Sequence, residues 1–191
     1  MRLLRTLLLA VSTTFFSAST VQAFEARERQ LFVIDCAGTV ARVDFSAKTV
    51  SVSAFDQRGT GRGRDGCVFD SIVSAGSLGT LAIVDEGPVD DGRRYSLARI
   101  DPATARIGER FTIPDNAEKS PKLVADPMSN RIYLLRNAEK IQLWVNADGK
   151  FETSGPWLPY FDAVSANPYL SPNHDYIVDG NRLLDPVASA W

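Results

Sequence analysis

The chain has 191 residues, with 21 Lys+Arg against 23 Asp+Glu and a formal net charge of −2. That mildly acidic balance excludes the basic footprint of a nucleic-acid binder. Apart from its first residues, the chain contains no apolar run long enough to cross a membrane as a helix, and its length fits one domain of ordinary size.

Residues 1–23 read as a secretory signal peptide. Arg2 and Arg5 precede an apolar run from Leu7 to Val11 that continues through Phe15-Phe16, and Val21-Gln22-Ala23 supplies a small residue for cleavage. Ser12, Thr13, Thr14, Ser17, Ser19 and Thr20 make this run too short and too polar for a membrane anchor. No cysteine follows the cut to accept a lipid, and the two arginines are not adjacent, which argues against twin-arginine export. The mature domain, 24–191, is expected in the periplasm or outside the cell, without stable membrane insertion.

Strands follow in quick succession. Leu31 to Asp35, Thr39 to Phe45 and Thr49 to Phe55 are short β-branched or apolar segments separated by Cys36-Ala37-Gly38 and Ser46-Ala47-Lys48. Thr49–Phe55 alternates, which predicts one wet face. Ser71–Ala75, Thr80–Asp85 and Tyr95–Asp101 make a second unit, in which Leu-Ala-Ile-Val-Asp repeats the earlier Leu-Phe-Val-Ile-Asp. The strongest internal match sets Val40-Ala41-Arg42-Val43-Asp44 beside Leu97-Ala98-Arg99-Ile100-Asp101. A third unit opens at Ala125-Asp126-Pro127-Met128-Ser129-Asn130, a turn in which proline fixes φ and Asn130 tolerates the left-handed region. Ile132–Leu135 and Ile141–Val145 are its strands, and Ser171-Pro172-Asn173-His174-Asp175 with Tyr176–Val178 begins a fourth. No helix is signalled after the leader. Corresponding strands recur at about 40 to 55 residues, the period of four-stranded propeller blades.

Asp126, Pro127, Ser129, Asn130, Ile132 and Tyr133 resemble the D-P-x-(S/T)-N-x-I-Y repeat of the YVTN-type β-propellers, the broad group that includes the methylamine dehydrogenase heavy chain. The resemblance implies an all-β, β-propeller-like domain of three to four blade-type repeats. Because propellers close with about four to eight blades, it also implies an incomplete or N-terminal portion of a propeller. A β-sandwich or irregular barrel is the alternative built from the same hairpins.

Cys36 and Cys67 are the only two cysteines, and in an oxidising compartment they are expected to form a disulfide that stabilises by about 3 kcal/mol. Arg58, Arg62 and Arg64 lie in the glycine-rich 58–66 segment, an anion or partner loop that lacks the context of a phosphate-binding motif and reads first as an inter-blade loop. Asp85, Glu86, Asp90 and Asp91 form an acidic stretch that could offer oxygens to calcium or an acid/base pair, without the EF-hand spacing. A solvated hairpin loop partly neutralised by Arg93 and Arg94 is the simpler reading. His174 is the only histidine and has neither zinc-ligand spacing nor a nucleophile elbow for company. Trp157, Tyr160 and Phe161 concentrate aromatic surface in a proline-bearing loop, a pocket or interface for a small ligand or a protein partner, or packing between blades. No catalytic or metal-ligating set emerges, and no cofactor is implied beyond that weak calcium option. An exported binding or scaffold module is expected; a propeller enzyme or enzyme subunit, lactonase-like or amine dehydrogenase heavy chain-like, is the alternative.

Overall fold

The structure, a computed structural model, describes residues 21–27, 29–55, 66–114, 120–136, 139–153, 158–159, 168–173, 176–179 and 182–184. Its strands form four antiparallel sheets, each a meander in which consecutive strands pair. The first contains β1 (Val21–Arg27), β2 (Gln30–Asp35), β3 (Thr39–Asp44) and β4 (Thr49–Ala54). The second contains β5 (Phe69–Ser74), β6 (Thr80–Val89), β7 (Gly92–Asp101) and β8 (Arg106–Thr112). The third contains β9 (Lys122–Asp126), β10 (Arg131–Arg136), β11 (Glu139–Val145) and β12 (Phe151–Thr153), with β13 (Leu158–Pro159) also pairing β11. The fourth, smaller sheet contains β14 (Tyr169–Leu170), β15 (Ile177–Asp179) and β16 (Arg182–Leu184). None of these sheets closes on itself, which removes the barrel, and a sandwich of two sheets does not describe four.

Period-2 alternation sends side chains to both faces of each central strand, so one strand feeds two cores. From β6, Ala82 and Val84 pack with Phe32, Ile34 and Val40 of the first sheet, while Leu81 and Ile83 pack with Ile132 and Leu134 of the third. From β10, Tyr133 and Leu135 turn the other way and meet Ile177 of the fourth. The sheets are therefore stacked in chain order, and the second and third bury both faces, which is why their middle strands are almost wholly apolar. The leading strands lie side by side, β1 against β5, β5 against β9 and β9 against β14.

One turn recurs. Asp44 accepts the backbone N–H groups of Ser46 and Ala47, both at 2.9 Å, and Asp126 accepts those of Met128 and Ser129 as well as the Ser129 hydroxyl. Asp101 accepts Ala103 N–H at 3.1 Å and the Thr104 hydroxyl at 2.7 Å. In each case the fourth residue after the aspartate is left-handed: Lys48 at φ 55°, Ala105 at 51° and Asn130 at 56°. The carboxylate substitutes for a backbone acceptor at the start of the reversal, which is why aspartate stands there three times. The β14–β15 turn uses Ser171, whose side chain accepts Tyr176 N–H at 3.1 Å.

Three expectations change. β4 has no dry face, since all six of its residues are exposed. The expected acidic loop is strand almost throughout, because β6 and β7 pair out to Val89 and Gly92 and leave only Asp90-Asp91 as the turn. The Leu-Phe-Val-Ile-Asp and Leu-Ala-Ile-Val-Asp segments do share the second-strand position, but one residue out of step: Phe32 and Ile34 face the next sheet, as do Leu81 and Ile83. The Ala-Arg match between β3 and β7 is in step. Strands β1, β8, β9, β12, β13 and β14 go beyond the sequence reading, and Gly76–Leu78 is a single 3-10 turn.

Candidate functional site

Cys36 and Cys67 form the expected disulfide, with their Cα atoms 4.8 Å apart. Around it the Cys36 carbonyl accepts the N–H groups of Val68 at 2.8 Å and Phe69 at 3.0 Å, so the β2–β3 turn is tied to the lead-in of β5. Beneath it Phe55 meets Phe69 edge to face with ring centroids 5.2 Å apart. This knot fixes both ends of the segment that carries Arg58, Arg62 and Arg64, residues that lie outside the described ones. Trp157, Tyr160, Phe161 and His174 also lie outside them; of the aromatic loop, Leu158 and Pro159 are seen as β13.

The described residues with most polar chemistry sit where β6 bulges between Asp85 and Gly87. Gly87 takes φ 106°, which a side chain would resist, and Asp85 and Glu86, being consecutive in the strand, take opposite faces. Asp85, only 4% exposed, lies opposite Tyr95 and accepts Arg93 Nε at 2.7 Å and Gly87 N–H at 2.9 Å. That hydrogen bond raises the Arg93 pKa above its already high range. Glu86 accepts the Ser96 hydroxyl and Arg110 Nη1, the latter at 2.8 Å. Asp90 and Asp91 are exposed at the hairpin tip.

This arrangement locks a hairpin rather than presenting a reagent. Each inner carboxylate is already engaged by an arginine, and the two point to different faces, so they cannot flank one bond as an acid/base pair. Among the described residues no group of three or more His, Cys, Asp or Glu is placed to hold a metal ion, so the calcium option finds no support there. Asp35, the partner of Asp85 in the sequence match, is likewise occupied by a turn, accepting Thr39 N–H at 2.7 Å.

Two cations escaped the sequence reading, Lys140 buried and Arg99 half-buried. Lys140 on β11 is 2% exposed, the most deeply buried charged residue among those described. Alternation sets it with Gln142 on the face of β11 opposite Ile141 and Leu143, and nothing in its identity signals burial. Arg99 projects from β7 toward the third sheet, with its guanidinium carbon 5.9 Å from the Phe151 ring centroid and its buried Nε without a hydrogen-bond partner. The recurrence of arginine at positions 42 and 99 was visible; its packing was not. No described helix is long and apolar enough to cross a membrane.

No protein-family model and no curated protein matches the chain. Among solved structures, it is similar to one described as a glucose dehydrogenase, at 16% identity and a TM-score of 0.45, over 84% of this chain and 57% of that one. It is also similar to an auxiliary nutrient binding protein from Bacteroides ovatus ATCC 8483, at 11% identity and a TM-score of 0.36, over 88% of this chain and 56% of that one. The chain thus spans somewhat more than half the length of either.

Proposed function

We propose that the four sheets are blade-type repeats of a YVTN-like β-propeller portion, and that the chain is an exported binding or scaffold module rather than a catalyst. One observation carries this reading: the sheets repeat one meander and bring their leading strands together in chain order. That is how blades line a common axis. Export draws support from the Cys36–Cys67 bridge, since disulfides persist in oxidising compartments. Recognition is assigned to the surface loops, with Trp157, Tyr160 and Phe161 meeting a protein or small ligand and Arg58, Arg62 and Arg64 meeting an anionic group on it.

The enzyme alternative is tested by assaying the oxidised chain for lactone hydrolysis and for dye-linked oxidation of amines and sugars. The binding reading expects no turnover above background, together with a photo-crosslinker at Tyr160 giving a discrete adduct in the cell envelope or culture medium that Trp157→Ala abolishes. Turnover that disappears in Glu86→Gln would overturn it.

A further inference from the structure

We infer that β4 is a dimerisation edge, on which a second copy of this chain adds its own β4 antiparallel to form one continuous sheet. β4 is the outermost strand of the first sheet, and all six of its residues are exposed. Thr49–Ala54 is Thr-Val-Ser-Val-Ser-Ala: uncharged, free of proline and glycine, and rich in β-branched residues. Edges of this composition invite strand addition, and proteins ordinarily guard them with charge, short length or proline. The other outer strands are guarded in this way. β8 carries Arg106, Glu109 and Arg110, while β12 and β16 are three residues long and contain Glu152 and Arg182.

The free hydrogen-bonding groups fix the register. Phe55 N–H donates to the Gly38 carbonyl at 2.9 Å, and continuing this ladder along the β3–β4 register makes Ser53, Ser51 and Thr49 the residues bonded to β3. The N–H and C=O groups of Val50, Val52 and Ala54 therefore point to the open side. None of the six residues has a hydrogen bond beyond its ladder with β3. A two-fold axis through Val52 pairs Val52 with its copy and Val50 with the partner's Ala54, so all three outward residues are satisfied at once. Side chains agree with this register. Val50 and Val52, 40% and 45% exposed, join the partner's Ala54 and Val52 in one apolar band on the face away from the second sheet. Ser51 opposes the partner's Ser53 on the other face, hydroxyl to hydroxyl. The pairing is isologous and uses up both edges, so it stops at two copies and does not grow into a fibre. It does not depend on the propeller reading, because an edge strand of this kind pairs whether or not the sheets are blades.

The test is the mass of the oxidised chain in solution, by light scattering and sedimentation equilibrium, for wild type, Val52→Lys and Val52→Thr. Wild type and Val52→Thr are expected at twice the chain mass. Val52→Lys sets two ammonium groups face to face and is expected at half the wild-type mass, with an unchanged far-ultraviolet spectrum. Hydrogen exchange decides independently, even if Val52→Lys fails to fold: the amides of Val50, Val52 and Ala54 should slow at least about tenfold as wild-type concentration rises through the dimerisation range. A wild type that is monomeric throughout overturns the inference. So does a dimer in which these three amides exchange at a rate independent of concentration.

Discussion

Val40 and Leu97 hold one position in neighbouring sheets: each lies on the third strand and points toward the sheet that follows, Val40 into the core shared with Phe69 and Leu97 into the core shared with Ile132. The stack has one structural logic, and a residue's role is given by its place in the repeat. Leu97 is fully buried between two sheets, so Leu97→Ala should cost about 2 to 5 kcal/mol in urea unfolding of the oxidised chain. A loss below about 1 kcal/mol would mean that the second and third sheets are not packed through it.

The recurrent turn separates two left-handed residues that look alike. Ala105 sits at φ 51°, but its methyl is buried in the core between the first and second sheets, so in Ala105→Gly the strain relieved and the burial lost should nearly cancel, leaving stability within about 0.5 kcal/mol of wild type. Asn130 sits at φ 56° but also donates its side-chain N–H to the Val145 carbonyl at 2.7 Å. Asn130→Ala should therefore lower stability by about 1 to 2 kcal/mol. Thermal unfolding of the two variants, expected to leave Ala105→Gly near wild type and to lower Asn130→Ala, checks both.

Much of this architecture was legible because its signals are local. Asp126-Pro127 and Asn130 spell a turn whatever surrounds them, and the pattern shared by β3 and β7 fell in step because the same aspartate turn ends both strands. The match of β2 with β6 slipped by one residue because a run of large apolar side chains reads the same in either phase. Only the neighbouring sheets decide that Ile34 and Ile83, rather than Leu31 and Leu81, are related pairs facing onward. The Asp85 and Glu86 partners were hidden for a similar reason: the pairing of β6 with β7 and of β7 with β8 decides that Arg93 meets the first carboxylate and Arg110 the second.

Reduction of Cys36–Cys67 releases a 31-residue separation and should cost about 2 to 4 kcal/mol. Comparing denaturant midpoints with and without reductant measures this. The loss should be matched by the Cys36→Ser/Cys67→Ser double variant, and equal midpoints would remove the bridge from the stability of the fold.

Asp44 carries the pH dependence that can be signed. Its carboxyl is held below the usual 3.8, first by the Ala47 N–H and then by the Gln30 side chain. A lowered folded value means that the charged form supports folding above the usual value, and that this support is lost as pH falls through the lower one. Asn at 44 keeps an acceptor for the turn but does not ionise. The stability difference between wild type and Asp44→Asn should be constant above about pH 5 and shrink steadily below it. A difference that grows on acidification would contradict the assigned sign.

The most direct test of the stacked-repeat account is a crystal structure of the oxidised chain, superposing β5–β8 on β1–β4 and on β9–β12. The account predicts that Ile83 falls on Ile34 and Leu97 on Val40, with β1, β5 and β9 adjacent. Helices in these segments, or sheets whose second strands do not superpose, would contradict it.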